Sequence, residues 1–331
     1  MYGYDSLLLK LTAGRTDCTA AVKQLPDEDG TVVSAPDSYV LTEDNVLVLD
    51  MAEYALDGGA FRPREEILRL DNILRAELGF PERGGHVAQP WTLPPEQTQH
   101  TVTLRFTIES ETELTGVMLA LEEAEVSTIV FNGETVPSDV CGNYTDIAID
   151  KVPLPPVHRG TNILTVTQPF GTRTNTEDMF LVGNFGVKLC GDRAVLTEKP
   201  AAVRFGDLQS QGFPFYGGAI RYTFKAESCG GQLTVKASWY RGALIKVYCD
   251  GKETGKIIYP PYTLQIYGIA DGEHTITLEL FLHRFNTFGA IHLVDEGAPW
   301  HGPGAWRSSG DNWTYGYVLR RTGLLKAPEL L

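Results

Sequence analysis

Val130-Phe131-Asn132-Gly133-Glu134, continued by Gly160-Thr161-Asn162-Ile163-Leu164-Thr165-Val166, decides the fold because the chain says it twice. The second version runs Val247-Tyr248-Cys249-Asp250-Gly251-Lys252, then Gly272-Glu273-His274-Thr275-Ile276-Thr277-Leu278. Between the halves stands a short apolar run, Asp146-Ile147-Ala148-Ile149 in the first copy and Leu264-Gln265-Ile266 in the second. Each copy is expected to close on a strand, Phe185-Gly186-Val187-Lys188-Leu189 and Phe288-Gly289-Ala290-Ile291-His292-Leu293. Asn-Gly and Asp-Gly accept the positive φ that a two-residue hairpin turn requires. Their flanks are β-branched or aromatic and alternate with polar residues, as half-buried antiparallel strands do. In the run Thr275 to Leu280 the alternation predicts Ile276, Leu278 and Leu280 on one face. Each copy is too long for a stacking unit of a solenoid, so the repeat predicts tandem β-sandwiches.

A length of 331 residues allows two or three domains, and 43% hydrophobic residues can fill their cores. The 34 glycines and 19 prolines suit a turn-rich β protein. A formal charge of −14 without a basic patch argues against a nucleic-acid partner and favours solubility. No apolar stretch reaches membrane-helix length, so no membrane partner is expected. The N-terminus lacks the basic and apolar regions of a signal peptide. The five cysteines, Cys18, Cys141, Cys190, Cys229 and Cys249, are odd in number and have no C-x-x-C spacing. They are read as buried, reduced thiols rather than as a disulfide framework or a zinc site.

Ser6 to Thr12 already reads as a strand, which points to a piece of a longer protein. Residues 1–60 read as a short β segment that completes an upstream domain or sheets formed later in the chain. Residues 61–98 read as a connector helix and a proline-rich linker. The helix is expected over 61–79: Pro63 suits a first turn, Glu65 and Glu66 suit the N-terminal dipole, and Gly79 suits the C-cap. Ile67, Leu70, Leu74 and Leu78 form its apolar stripe, with Arg69, Arg75 and Glu77 on the wet face. Residues 99–197 and 198–331 read as the first and second sandwich. Trp91 is expected to pin the linker, and Trp239 and Tyr240 to lie in a core or at an edge.

The order strand, Asn-Gly, strand, Gly-x-Asn-x-Leu-x-Val resembles the galactose-binding-like jelly roll that accompanies family 2 glycoside hydrolases and many carbohydrate-binding modules. Three stretches are similar to the C-terminal part of large bacterial glycoside hydrolases: Leu49 to Gly59, Gly212-Phe213-Pro214-Phe215-Tyr216-Gly217-Gly218, and Asn286-Thr287-Phe288-Gly289-Ala290-Ile291-His292. The resemblance covers about 45–325 and implies a mostly β chain of tandem antiparallel jelly-roll sandwiches with one connector helix. It also implies a bacterial source, a carbohydrate partner and an upstream catalytic domain in the same protein. The run of alternating strands and helices of a catalytic barrel is not seen in the sequence.

Three of the five tryptophans fall between Trp300 and Trp313. Aromatic rings stack on the C–H face of a pyranose, and neighbouring polar groups bond its hydroxyls. Trp300, His301, Trp306, Arg307, Asp311, Trp313 and Tyr315 are therefore the expected ligand contacts, and the second sandwich the expected binder. The competing expectation is that this loop packs between domains, since tryptophan is highly buried on average. No catalytic residue is expected, because none of the motifs that mark a nucleophile elbow, a P-loop or a zinc protease occurs. No cofactor is expected beyond a structural calcium, for which Asp139, Asp146 and Asp178 are candidate oxygen donors. The function read from these features is non-catalytic: an accessory region that binds carbohydrate or supports a catalytic domain. A glycoside hydrolase with its site between the sandwiches and a surface adhesion module are the alternatives.

Overall fold

A computed structural model describes residues 30–82, 96–174, 176–294 and 310–331. The chain is mostly β and its sheets are antiparallel apart from one short parallel pairing. Asn132 and Gly133 take φ of 51° and 86°, Asp250 and Gly251 φ of 49° and 80°, the left-handed pair that a type I′ turn needs. The first turn joins the strands Thr128–Phe131 and Glu134–Val136, and the second joins Leu244–Cys249 and Lys252–Ile257. From each hairpin the sheet grows in the same order. Thr128–Phe131 pairs with Gly160–Phe170, which pairs with His100–Ser110. Leu244–Cys249 pairs with Gly272–Phe281, which pairs with Ala219–Ser228. Registers correspond as well: Ser110 faces Gly160 and Phe131 faces Leu164, while Ser228 faces Gly272 and Cys249 faces Ile276.

Each of these sheets shares a hydrophobic core with a second sheet. The strands Asn143–Tyr144, Asp146–Pro153, Met118–Glu122, Met179–Gly183 and Asn45–Leu49 face the first. Thr31–Val32, Glu329–Leu330, Gln232–Lys236 and Thr263–Tyr267 face the second. Ile276, Leu278 and Leu280 are fully buried, as their alternation predicts. Strands from the N-terminal stretch serve both sandwiches. Ser38–Leu41 pairs with Ala219–Ser228, Asn45–Leu49 with Met179–Gly183, and Met51–Leu56 with His100–Ser110.

The helix is shorter than its sequence signals indicate. Arg62–Glu66 is a strand paired with Met51–Leu56, and the helix occupies Ile67–Leu78. Pro63 sits in that edge strand, where a missing N–H costs nothing. Glu66 is the N-cap, its carboxylate accepting from the backbone N–H of Leu68 and Arg69. Gly79 closes the helix in the left-handed conformation at φ 68°. Ile67, Leu70 and Leu74 are fully buried, each worth about 1.5–3 kcal/mol of apolar burial. Arg75 leaves the wet face: it is 2% exposed and donates to Asp71, itself fully buried, at 2.7 Å. Its other nitrogens donate to the Thr172 and Thr174 carbonyls, so the guanidinium ties the helix to the loop after Gly160–Phe170.

Two further expectations are corrected. Phe288 to Leu293 is not a strand: Phe285–Phe288 is a helical turn and the following residues form turns with one bridge, Leu293 to Trp313. Their polar groups are committed to the contacts described below. Of the cysteines, Cys249 is buried, but Cys141, Cys190 and Cys229 are exposed free thiols; Cys18 and Trp91 lie outside the described residues, as does the strand read at Ser6 to Thr12. Trp239 is 51% exposed, and Tyr240 packs on the second core. Among the described residues, no helix is long and apolar enough to cross a membrane.

Candidate functional site

Three stretches distant in sequence, the first through Asp50, the others Gly212 to Gly218 and Asn286 to His292, converge where the two sandwiches meet. Asn286, fully buried, donates to the Pro214 and Arg320 carbonyls, and Thr287 donates to the Phe215 carbonyl at 2.6 Å. Arg284 pairs with Glu43 at 2.8 Å. Gly217 is required there, because a Cβ would lie 2.9–3.1 Å from Arg284 and Thr287. Phe288 joins Tyr144 and Phe180 in an aromatic cluster on the first core.

At the centre His292 faces Asp50 at 2.9 Å through Nε2 and the Gly316 carbonyl at 3.1 Å through Nδ1. A carboxylate and a carbonyl on the two ring nitrogens favour the protonated ring. Burial alone would push its pKa down; the hydrogen bond and charge of Asp50, with the charge of Glu66, reverse this and raise it. Tyr317 donates to the other Asp50 oxygen at 3.1 Å. Burial pushes Glu66 up to about 7 against the pull of its two backbone hydrogen bonds. Two carboxyl groups in unlike environments are what glycoside hydrolysis uses. Here, however, the cavity they line with His292, Trp313 and Asp178 holds only about 20 Å³, room for a single water. A neighbouring cleft lined by Asp50, Arg64, Phe106 and Tyr317 holds about 190 Å³, below the size of ordinary ligand sites. Asp50 thus ties His292 and Tyr317 to the first sandwich, and Glu66 caps the helix beside them.

The described end of the tryptophan-rich stretch, Trp313 and Tyr315, packs at the same junction. Trp300, His301, Trp306 and Arg307 lie outside the described residues. Trp313 packs on His292, with ring centroids 5.8 Å apart, and carries the Arg69 guanidinium 4.4 Å from its own centroid. Tyr315 donates to Glu65 at 3.0 Å and packs edge-on against Trp313. Asp311 is exposed. Trp313 and Tyr315 are therefore engaged with Arg69 in the first turn of the helix and Glu65 in the strand just before it. Of the candidate calcium donors, Asp178 lines the small junction cavity, Asp146 accepts from the Ala148 N–H, and Asp139 is exposed.

An open groove of about 490 Å³ lies elsewhere, on the outer face of the first sandwich. Its floor is the small side chains of Thr103, Thr165, Val130 and Ile163, standing on three adjacent strands. Gly58 and Gly59 on one side and Gly133 on the other form its rims, and Phe61 stands beside it. Arg105 lies over the Phe61 ring, 3.8 Å from its centroid, and donates to Glu53 at 2.7 Å; that hydrogen bond, with the charge of the guanidinium, holds the Glu53 carboxyl below its ordinary pKa. The groove thus combines apolar surface with hydroxyls and a guanidinium oriented by Glu53, at a volume typical of ligand sites. Sequence reading passed it over because no motif marks it: threonine, valine and isoleucine are ordinary strand residues.

No family model matches the sequence, and no curated protein matches it. Solved structures similar to the chain include a rhamnosidase from Novosphingobium sp. PP1Y (TM-score 0.29, 17% identity, covering 71% of this chain and 23% of that one). A GH2 β-galacturonidase from Eisenbergiella tayi gives a TM-score of 0.25 at 10% identity, covering 76% of this chain and 38% of that one. For a β-D-mannosidase from Dictyoglomus thermophilum the values are 0.26, 12%, 72% and 31%. This chain therefore spans between about a quarter and two fifths of those enzymes. At these TM-scores the likenesses carry no argument about its fold or activity.

Proposed function

We propose that the chain is a non-catalytic accessory region of a bacterial glycoside hydrolase, built from two galactose-binding-like sandwiches, which binds carbohydrate and supports the catalytic domain. The observation that carries the reading is the open groove on the first sandwich. Phe61, Val130 and Ile163 offer apolar surface to the C–H faces of a sugar, while Thr103, Thr165 and Arg105, the last held by Glu53, offer partners to its hydroxyls. The closed junction favours the supporting role, since its buried network couples the two sandwiches as one body. Trp300, His301, Trp306, Arg307 and Asp311 are a second set of proposed sugar contacts, adjacent in sequence to Trp313 and Tyr315, which pack on Arg69 and Glu65.

Affinity electrophoresis of the full chain against a panel of soluble polysaccharides tests the proposal. The wild-type chain is expected to be retarded by at least one polysaccharide. Phe61→Ala is expected to weaken that retardation at least about tenfold, the effect of losing ~1.4 kcal/mol of contact. Retardation lost in Trp306→Ala and kept in Phe61→Ala would move the site to the aromatic loop. A chain that no polysaccharide retards would overturn carbohydrate binding altogether.

A further inference from the structure

Both sandwiches fasten their Asx-Gly turn to the neighbouring strand in the same way. In the first, the Ile163 N–H donates to Asn132 Oδ1 at 2.9 Å, and Asn132 Nδ2 donates to Asn162 Oδ1 at 2.9 Å. Asn162 in turn donates to the His158 carbonyl at 2.8 Å. In the second, the Thr275 N–H donates to Asp250 Oδ1 at 2.9 Å, and His274 Nδ1 meets Asp250 Oδ2 at 2.6 Å. His274 Nε2 meets the Ala270 carbonyl at 2.7 Å. The positions correspond one for one: Asn132 with Asp250, Asn162 with His274, and Phe131 with Cys249, as the registers require. The first sandwich shows that two amides suffice to hold the turn. The second puts a carboxylate, an imidazole and a thiol in the same place.

We propose that Cys249, Asp250 and His274 form a binding site for a borderline-soft divalent cation, zinc or one of its close chemical relatives. Among the described residues this is the one group of three such side chains whose ligand atoms lie within 4.8 Å of one another. Cys249 Sγ is 3.9 Å from Asp250 Oδ2. Zinc–ligand bonds of about 2.0–2.3 Å place tetrahedral donors roughly 3.3–3.8 Å apart. The sulfur–oxygen pair is already near that spacing, and the imidazole–carboxylate pair must open by about 1 Å. Asp250 can move that far, because its side chain is 55% exposed on the turn. The Ala270 carbonyl holds Nε2 and leaves Nδ1 facing the other donors, the way a metal-binding histidine is ordinarily oriented. Sulfur and nitrogen donors select against calcium and magnesium, which take oxygen. Binding releases two protons, one from Nδ1 and one from the thiol, and leaves the fourth position to water.

The test uses the full chain with Cys18→Ser, Cys141→Ser, Cys190→Ser and Cys229→Ser, so that Cys249 is its single thiol. Titration with cobalt(II) is expected to produce a saturable thiolate-to-cobalt charge-transfer band at one metal per chain, abolished by added zinc. Cys249→Ser is expected to remove the band. D250N/H274N installs the amide pair of the first sandwich, and is expected to leave circular dichroism and melting unchanged while weakening cobalt binding more than about 100-fold, beyond what losing one supporting hydrogen bond costs. A chain that gives no charge-transfer band, or a folded D250N/H274N chain that binds cobalt as the parent does, would overturn the proposal. The readout is spectroscopic and independent of carbohydrate binding.

Discussion

The two sandwiches share strand order, register and turn chemistry, yet their outer faces are opposites. Across the first, one row reads Arg105, Thr165 and Val130, and the next Thr103 and Thr167. The corresponding rows of the second read Thr223, Thr277 and Tyr248, then Arg221 and Glu279. Arg221 and Glu279 pair at 2.8 Å, and the Tyr248 hydroxyl donates to Glu279 at 2.8 Å, so long side chains interlock over that face. The first face has threonines and a valine in their place and stays concave. One backbone arrangement therefore yields a groove or a closed surface, depending on side-chain length at a few positions. Charge is distributed in the opposite sense. The first sandwich buries both members of an ion pair, Asp71 with Arg75, under its helix, whereas in the second the Glu279 carboxylate is 5% exposed and its partner Arg221 is 47% exposed.

The largest test of this contrast is the removal of a carboxylate on each side. Asp71→Ala leaves the Arg75 charge buried and is expected to cost about 3–5 kcal/mol in urea unfolding. Glu279→Ala leaves Arg221 free to reach water while the Tyr248 hydroxyl loses its acceptor, and is expected to cost about 1–2 kcal/mol, less than Asp71→Ala. Equal losses would erase the distinction.

An intermediate effect is expected from pH at the junction. Glu66 has a folded pKa of about 7, above its unfolded value, so folding favours its neutral form and stability falls as pH rises from about 4.5 through 7. The raised pKa of His292 works in the same direction. The stability it supplies is complete below about 6.5 and is lost as pH climbs through its folded value. Glu66→Gln is expected to remove about 2–3 kcal/mol of that fall between pH 5 and 8. A wild-type chain whose stability relative to Glu66→Gln rises over this range would contradict the assignment.

The smallest effect is confined to binding. Val130→Tyr carries the tyrosine of the second face into the groove and is expected to reduce polysaccharide retardation at least about tenfold, ~1.4 kcal/mol, with unchanged unfolding. Tyr248→Val is expected to leave retardation as it is. If Val130→Tyr binds normally, the groove is not the site.

Much of the fold is legible in the sequence because its signals are local. Asn132-Gly133 and Asp250-Gly251 demand positive φ, and Ile276, Leu278 and Leu280 alternate, so the hairpins and buried faces follow from a few neighbouring residues. Gly79 marks the end of the helix for the same reason. The start of the helix is not legible, since Pro63, Glu65 and Glu66 suit a first turn and an edge strand equally, and pairing with Met51–Leu56 decides between them. Arg75 carries the spacing of a wet-face residue, and only the folded loop carbonyls of Thr172 and Thr174 draw it inward. The strand expected from Phe288 onward yields to turns because Asn286, Thr287 and His292 find partners across the junction.

The sequence by itself determines that this chain is a β protein with two like-built sheets and a helix ending at Gly79, since turn conformation and side-chain alternation are set over a few residues. The tertiary structure alone decides where chemistry can happen. Asp50 meets His292, Glu65 meets Tyr315 and Cys249 meets His274 only after strands remote in the sequence pair. Whether a sheet face is open depends on the lengths of side chains contributed by several strands, which no single stretch of the sequence displays.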